Sequence, residues 1–231
     1  MTPDPATPQA SASAQASGSA QAQATPQAPA PTTTPPAPER SSGADLVERV
    51  VESRILHRGR YLTFRVDTIE RADGSRGTRE IADHPGAVAI LAMDPDDCVL
   101  LVRQFRVAVG EALLEVPAGT LDVAVDGSIE DPDLAAPREL EEETGMRAGS
   151  WRQIGRFYTA PGFTSELMHL YMATDLRPAD GERLTPDDDE HLLLERIPWR
   201  DAVAAAERGE FFDAKTLVAL LWLARQRADA P

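Results

Sequence analysis

Two near-continuous apolar runs lie in the middle of the chain. They extend from Ala87 to Met93 and from Cys98 to Phe105, and the acidic turn Asp94-Pro95-Asp96-Asp97 joins them. A strand that is covered on both faces has this composition, because neither face needs polar residues. The pattern therefore predicts two central strands that are joined as a hairpin.

Apolar and charged residues alternate in the region before these runs. Val50 to Asp67 predicts one or two strands with a turn at Arg58-Gly59. A second turn, Ala72-Asp73-Gly74-Ser75, leads to a short strand from Thr78 to Asp83. Such a meander on the flank of a domain has exposed edges, and exposed edges favour pairing with a second subunit.

Three further strands are predicted after the central runs. Leu113 to Val116 is a short strand that leads into the turn Pro117-Ala118-Gly119. Ser150 to Thr159 and Leu167 to Leu176 are longer strands. The loop from Ala160 to Glu166 between them is rich in residues that break regular structure.

Helix start signals predict a helix in the second half of the chain. Asp131 is a suitable N-cap and Pro132 a suitable first residue. Pro137 removes one backbone hydrogen bond and should bend the first turn. No further helix breaker occurs between Arg138 and Thr144, so the helix should continue through that segment.

Two more helices are predicted near the end of the chain. Trp199 to Arg208 has a helical pattern that ends at Gly209, and Asp213 caps a last helix that reaches about Arg227. Four apolar residues of the last helix repeat at helical spacing and indicate a core face rather than a ligand site: Leu217, Leu220, Leu221 and Ala224.

Composition divides the 231 residues into a tail and one domain. Residues 1–43 are almost entirely Pro, Ala, Ser, Thr, Gln and Gly, and they cannot bury enough apolar surface to offset the entropy of ordering. This tail is therefore predicted to be disordered, and it lacks the basic start and apolar middle of a secretory signal. Residues 44–231 form the predicted domain, with the meander in residues 44–84 and the core in residues 85–231.

No apolar run is long enough to cross a bilayer, since the stretch from Leu217 to Ala224 is too short. The single cysteine, Cys98, excludes a disulfide within the chain, which agrees with a reducing compartment. We therefore expect a cytoplasmic protein without a membrane partner.

The formal net charge of −15 excludes one class of partner and raises a question about another. Nucleic-acid binding relies on clustered Lys and Arg, so no nucleic-acid partner is expected. An anionic small-molecule substrate would need a divalent metal ion and a few nearby arginines to offset the acidic surface.

Glutamates are unusually dense in the segment from Arg138 to Met146. At about 100° per residue, Glu139, Glu142 and Glu143 fall on one face of the predicted helix. Like charges one turn apart destabilise a helix by about 0.2–0.5 kcal/mol per pair. The segment is therefore either a solvated acidic face or a face that holds cations.

The order of residues around this segment resembles the signature of the Nudix hydrolases. That signature is Gly, five residues, Glu, seven residues, Arg-Glu-apolar, any residue, Glu-Glu, any residue, Gly and an apolar residue. Here Gly119, Glu130, Arg138 and the residues up to Met146 fill every named position. Ten residues rather than five separate Gly119 from Glu130, so the loop containing Asp126-Gly127 is lengthened.

A second motif resembles the ADP-ribose pyrophosphatase branch of that family. It is the Pro-Gly-Phe-Thr-x-Glu loop that begins at Pro161. Three other stretches agree with the same branch: Val102 to Arg106, Leu114 to Gly119, and the acidic Asp187 to Glu190 with the strand after it. The resemblance implies the Nudix fold, an α/β/α sandwich with a mixed central sheet, here with the N-terminal antiparallel β meander.

The resemblance also implies a metal site at the acidic helix. Glu139 and Glu143, supported by Glu142, would hold two or more Mg²⁺ ions, with Mn²⁺ as a substitute and the backbone carbonyl of Ala118 as a further ligand. Carboxylate oxygens are the ligands that such hard cations prefer. Arg138 is expected to point off this face and to hold the loop by pairing with Glu130 or Glu115.

Candidates for the general base and for substrate contacts have open alternatives. Glu166 matches the family's loop glutamate that serves as the base, or it is a solvent-exposed residue. Arg103 and Arg106 bind a diphosphate or stack on a base, or they are solvated at a strand end. Glu115 faces solvent or contributes to the site. The remaining candidates for substrate binding are in the loop: Gly162 and Phe163.

The function that the resemblance implies is hydrolysis of ADP-ribose to AMP and ribose 5-phosphate by a homodimer, with adenine held partly by the meander of the second subunit. One alternative is another nucleoside diphosphate derivative, either a nucleotide sugar or a dinucleotide. A non-catalytic nucleotide sensor should have lost Glu139 or Glu143, and both are present. An acidic interaction protein leaves the Pro-Ala-Gly turn and the Pro-Gly-Phe loop without explanation. No chemistry is assigned to the four histidines: His57, His84, His169 and His191.

Overall fold

A computed structural model describes residues 46–181, 184 and 191–228 of the chain, all within the unit Ser41–Pro231. The predicted tail of residues 1–43 and the acidic segment Asp187 to Glu190 lie outside the described residues. Within the described residues, no helix is both long and apolar enough to span a membrane.

Ten strands and three helices make up the described part of the chain. The strands are β1 (Arg49–Arg58), β2 (Thr63–Glu70), β3 (Arg76–Asp83), β4 (Ala87–Met93), β5 (Cys98–Arg106), β6 (Glu111–Glu115), β7 (Ala118–Thr120), β8 (Met146–Tyr158), β9 (Leu167–Pro178) and β10 (Leu192–Pro198). The helices are α1 (Pro132–Thr144), α2 (Trp199–Glu207) and α3 (Ala214–Ala228).

Strands β1, β2 and β3 form an antiparallel sheet in chain order, as the alternating pattern predicts. In this meander β2 is the middle strand, and β1 pairs only with β2. Strand β1 is largely exposed to solvent, and its exposed residues include the apolar Val50, Ile55 and Leu56.

The other strands form a seven-stranded mixed sheet. Its main order is β10-β5-β4-β9-β8, with β6 beside β5 and β7 beside β4. The pairing of β4 with β9 is parallel, whereas the other pairings are antiparallel. The predicted hairpin of the two apolar runs is confirmed, since Ala92 lies opposite Leu100 and Met93 opposite Val99.

Helices cover both faces of this sheet, which confirms the predicted α/β/α sandwich. All seven residues of β4 are buried, because alternate side chains enter two different cores. Val88, Ile90 and Ala92 pack with Leu140 of α1. On the opposite face, Leu91 and its neighbours pack with three residues of α3: Ala219, Leu220 and Leu223.

Helix α1 includes Pro137 and continues as far as Thr144, as predicted. Local details differ from the predictions at two places. Strand β8 begins at Met146, four residues before the predicted start, because Gly145 is left-handed and turns the chain from the helix directly into the strand. The buried face of α3 includes Leu220, but Leu221 is half exposed.

Candidate active site

Helix α1 is held in a fixed rotation against the sheet. Its N-cap Asp131 accepts a hydrogen bond from the backbone N–H of Asp133 at 3.0 Å, and Gly145 ends the helix by donating to the carbonyl of Glu141 at 2.8 Å. Ala136 and Leu140 are fully buried against the sheet. This anchoring directs Glu139 and Glu143 toward β7, whereas Glu141 bonds Arg147 of β8.

The Pro117-Ala118-Gly119 turn lies directly against these glutamates. The backbone N–H of Ala118 donates to Oε2 of Glu143 at 3.0 Å. Gly119 lies so close to the carboxyl group of Glu139 that a Cβ atom at this position would overlap it. Glycine is therefore needed here to let a carboxylate approach the backbone.

The acidic face is not a solvated one. Glu139 and Glu143 are each only 7% exposed. Carboxylates at this level of burial need partners, because an unpaired buried charge is costly. The alternative of a freely hydrated acidic surface is therefore wrong for these two residues.

Arg138 supplies much of the opposing charge. Its guanidinium contacts carboxylate oxygens of Glu130, Glu139 and Glu142 at 2.8, 2.8 and 2.9 Å. Pairing with Glu130 agrees with the sequence prediction, but the expectation that Arg138 points off the acidic face is wrong, since it also bonds two glutamates of that face. Burial lowers the pKa of Arg138, but the hydrogen bonds that Arg138 donates to Glu130 and the charges of the neighbouring carboxylates raise it above its ordinary value.

The lengthened loop leaves Glu130 in place. The extra residues form a small hairpin in which Val123 bridges Ile129 and the N–H of Ala124 donates to the carbonyl of Ser128 at 2.9 Å. Behind this hairpin, the N–H of Glu130 donates to the carbonyl of Asp122 at 2.8 Å. The insertion therefore extends outward without moving Glu130 away from Arg138.

The acidic face has the donor chemistry for a divalent cation, although the carboxylates do not yet surround one point. Among the described residues, no three acidic, histidine or cysteine side chains are arranged as a metal cluster. Arg138 holds Glu139 and Glu142, and the N–H of Ala118 holds Glu143. The missing Cβ of Gly119 lets the carboxylate of Glu139 approach the backbone, and the resulting set of hard oxygen donors is of the kind that a cation such as Mg²⁺ prefers.

Glu166 meets the sheet at the same end as the acidic face. Thr120 of β7 and Met168 of β9 lie opposite the same β4 residue, Ala87, on its two sides. Gly119 and Glu166 each lie within two residues of these partners along the chain. The topology therefore brings the Pro-Ala-Gly turn and the Pro-Gly-Phe loop to the same end of the central strands.

The carboxylate of Glu166 is half-buried and has two neighbours. The hydroxyl of Thr159 donates to Oε2 of Glu166, and Nε2 of His84 lies 3.7 Å from Oε1. Glu166 is therefore not a freely hydrated loop residue.

Gly162 and Phe163 line a cavity of about 540 Å³ between the meander and the Pro-Gly-Phe loop. Arg65 and Arg79 of the meander line the opposite side. Phe163 is 60% exposed, so its ring is available for contact with a ligand. The cavity combines aromatic and cationic side chains next to the loop that carries Glu166.

Glu115 and Arg106 belong to one buried ionic cluster. Glu115 is 1% exposed and is bonded by the guanidinium of Arg106 at 2.7 and 2.8 Å and by Nζ of Lys215. The alternative that Glu115 faces solvent is therefore wrong. The hydrogen bonds that Arg106 donates to Glu115 raise the pKa of Arg106, whereas burial lowers it. Glu115 lies three residues before Ala118, whose N–H bonds Glu143, so the cluster lies near the acidic face.

Arg103 lies elsewhere. Its Nε donates to Glu195 at 2.6 Å, and both residues line a separate cavity of about 390 Å³ with residues of α2 and of the segment before α3. Arg103 shares a face of β5 with Val99 and Leu101, which pack with residues of α2 and α3, so it faces the side of the sheet that these helices cover. The structure therefore does not bring Arg103 to the acidic face.

Family comparisons agree with this geometry. Residues 83–220 match the model of the NUDIX domain, and residues 48–82 match the nucleoside diphosphate sugar hydrolase N-terminal domain. The chain belongs to the Nudix family. It is a Nudix hydrolase in which the meander corresponds to the second of these models.

Three relatives illustrate the range of this family. An ADP-ribose pyrophosphatase of Bacillus subtilis is 35% identical over 183 residues, which cover 79% of this chain and 96% of that protein. A GDP-mannose pyrophosphatase of Klebsiella pneumoniae is 32% identical over 188 residues, covering 75% of this chain and 90% of that protein. The crystal structure of an ADP compounds hydrolase superimposes with a TM-score of 0.64 at 27% identity, covering 78% of this chain and 95% of that one.

Three residues that contact the candidate site residues are absent from the sequence prediction of the site: His84, Thr159 and Lys215. His84 and Thr159 flank Glu166, and Lys215 neutralises Glu115. The partners of His84 and Lys215 are 82 and 100 residues away in the chain. No local pattern carries such a pairing, although a lysine at the second position of a largely apolar helix is a weak signal of a buried partner.

Proposed function

We propose that this Nudix hydrolase cleaves the diphosphate bond of ADP-ribose to give AMP and ribose 5-phosphate. The observation that carries the proposal is the contact between the buried glutamates of α1 and the Pro-Ala-Gly turn. Glu166 lies at the same end of the central strands as this contact. The ADP-ribose pyrophosphatase among its relatives supports this choice of substrate.

The acidic face would hold the metal ion that members of this family generally use. Glu139, Glu142, Glu143 and the carbonyl of Ala118 are the proposed ligands of Mg²⁺, with Mn²⁺ as a substitute. The bound cation would neutralise charge on the diphosphate oxygens and favour attack by water. Arg138 keeps Glu139 and Glu142 on one side of the helix and offsets their repulsion before a cation binds.

Glu166 is the proposed general base. The oxygen of water forms a bond to one phosphorus while the bond from that phosphorus to the bridging oxygen breaks, and Glu166 accepts one proton of the water. A half-buried carboxylate at the edge of the site suits this role, because a base must reach the attacking water.

Substrate contacts are assigned by position. Gly162 and Phe163, at the cavity beside Glu166, are proposed to contact the nucleoside. Arg106 lies near Glu143 and is proposed to attract the diphosphate, with Glu115 fixing its guanidinium. Arg103 belongs to the other cavity and has no proposed substrate contact.

We also propose that two copies of the chain form a homodimer through the meander. Strand β1 is an edge strand that exposes Val50, Ile55 and Leu56. Apolar edges of this kind are usually covered by another chain or protected from pairing. If the meander of a second subunit paired with this edge, that meander would lie near the proposed substrate cavity, which Arg65 and Arg79 of the first subunit line.

A panel of nucleoside diphosphate derivatives tests the substrate. ADP-ribose, GDP-mannose, another nucleotide sugar and a dinucleotide are incubated separately with the purified chain and Mg²⁺, and the released nucleoside monophosphate is measured. We expect the highest kcat/KM for ADP-ribose. A higher kcat/KM for GDP-mannose, the substrate class of another relative, would replace ADP-ribose in the proposal.

A further inference from the structure

The segment between β3 and β4 is bonded directly to the Pro-Gly-Phe loop. The N–H of Ala82 donates to the carbonyl of Phe163 at 2.8 Å. Two hydrogen bonds join His84 to Ser165: the N–H of His84 donates to the hydroxyl at 2.9 Å, and that hydroxyl lies 3.3 Å from the carbonyl of His84. The end of the meander therefore fixes the backbone just before Glu166.

The ring of His84 has a defined tautomer. The backbone N–H of Gly86 donates to Nδ1 of His84 at 3.0 Å, so this nitrogen carries a lone pair and the ring proton lies on Nε2. Burial lowers the pKa of His84, whereas Glu166 raises it, and the lowered pKa favours the neutral ring. A neutral ring with its proton on Nε2 points an N–H group at Glu166.

Both oxygens of the Glu166 carboxylate then face neutral donors. Nε2 of His84 is 3.7 Å from Oε1, which is longer than a hydrogen bond, and the Thr159 hydroxyl donates to Oε2. Contacts of this kind are often long before substrate binds and shorten in the reacting complex. A neutral donor on each side restricts rotation of the carboxylate without adding a charge that would make it a weaker base.

We propose that His84 is a positioning residue for Glu166, whose carboxylate it orients through its Nε2–H. This inference rests on the proposed function, because it assumes that Glu166 is the base. The end of the meander would then help to set the position of the base, Glu166. His84 itself does not touch the substrate.

Two substitutions distinguish the role of Nδ1, which accepts from Gly86, from the role of Nε2, which points at Glu166. His84→Asn keeps an acceptor for the N–H of Gly86 but is too short to reach Glu166. His84→Gln carries an amide N–H at about the distance of Nε2 but lacks the acceptor at the position of Nδ1. We expect kcat for ADP-ribose to fall about 10-fold to 100-fold in His84→Asn, with KM changed less than about twofold. His84→Gln should recover most of kcat.

A double-mutant cycle with Glu166→Gln separates this proposal from the proposed function. If His84 acts through Glu166, His84→Asn should have no further effect on the residual activity of Glu166→Gln. Unchanged kcat in His84→Asn alone overturns the positioning role but leaves the base intact. Full activity of Glu166→Gln instead overturns the assignment of the base.

A measurement without turnover tests the tautomer in the full chain. In protein labelled with ¹⁵N-histidine, the ring signals that disappear in His84→Asn belong to His84. We expect them to show a protonated Nε2 and an unprotonated Nδ1 at neutral pH. A ring protonated on Nδ1, or equal loss of kcat in the Asn and Gln variants together with a lowered Tm, would show that His84 only packs the loop and would overturn the proposal.

Discussion

At the residue scale, Gly119 shows how a missing side chain can build a site. Its backbone lies against the carboxyl group of Glu139, where a Cβ atom would overlap the carboxylate. Glu139 is also bonded to Arg138, so a carboxylate displaced by a Cβ atom would change its position relative to that guanidinium. The close approach of the Glu139 carboxyl group to the backbone thus explains why the signature has a glycine at position 119.

Gly119→Ala should therefore displace Glu139 and lower kcat/KM by about 100-fold, since a misplacement of about 1 Å in an active site has this cost. Gly155→Ala in β8 is the matched control, because no atom lies within 4 Å of its added Cβ. Steady-state kinetics of both variants should show the loss only at residue 119. Equal activity of the two variants would contradict the close approach.

Glu115 connects stability to pH. Burial would raise its pKa, but the hydrogen bond from Arg106 and the charge of Lys215 outweigh this and lower it below the ordinary value of 4.5. As pH falls, the unfolded chain therefore takes up a proton at this residue before the folded protein does. The stabilisation from the cluster is complete above about pH 4.5 and is lost at lower pH.

Glu115→Gln should lower the free energy of unfolding at neutral pH by about 3 kcal/mol, because Arg106 and Lys215 lose a buried partner. The difference from the wild type should shrink as the pH falls below about 4.5. Urea unfolding at several pH values measures both effects. A difference that stays constant down to pH 3 would show that the charge of Glu115 is not the stabilising feature.

At the scale of elements, the pattern of apolar and polar residues predicts a strand or helix correctly where burial of each side chain determines whether that residue is apolar. β4 matches its apolar run from Ala87 to Met93, since both faces of that strand are covered. The core face of α3 is less well predicted, because Leu217, Leu220, Leu221 and Ala224 are spaced as one stripe but the packing partners select Leu220 and not Leu221. Ion pairs between distant elements, such as that of Glu115 with Lys215, leave no periodic signal at all.

The inserted hairpin is an element that can be removed. Deleting residues 124–128 would leave five residues between Gly119 and Glu130, as in the signature. After the deletion, Val123 and Ile129 become the two central residues of a turn that the existing hydrogen bond from the Glu130 N–H to the Asp122 carbonyl closes, so the stability should change by less than about 1 kcal/mol. We expect thermal unfolding and kcat/KM for ADP-ribose to stay close to those of the wild type. A large loss of kcat/KM without a change in Tm would assign the hairpin a role in substrate binding.

At the scale of the whole molecule, the net charge of −15 and the anionic substrate are reconciled by where the arginines lie. Arg138 and Arg106 stand at the acidic face, and Arg65 and Arg79 line the cavity beside Glu166. The sequence identifies the signature arginine, but the cavity arginines are brought there only by the fold of the meander. Each of these arginines is paired with at least one carboxylate, so the arginines offset local negative charge at the site within an acidic protein.

Dimer formation is predicted from the exposed edge of the meander. Size-exclusion chromatography with light scattering should give twice the 25.0 kDa mass of the chain. Ile55→Lys on the exposed strand β1 should shift the protein toward the monomer, whereas Leu193→Lys on β10, also exposed, should not. A monomeric wild-type protein would exclude the dimer.

In the proposed mechanism, hydrolysis by this chain requires that the glutamates of α1 hold a divalent cation. The most direct measurement is anomalous diffraction from crystals soaked in Mn²⁺ and AMP, for the wild type and for Glu143→Gln. We predict anomalous density beside Glu139, Glu142 and Glu143 in the wild type, and weaker density in the variant together with a loss of turnover by orders of magnitude at unchanged Tm. Absence of density from these carboxylates in wild-type crystals, with the nucleotide bound, would contradict the account.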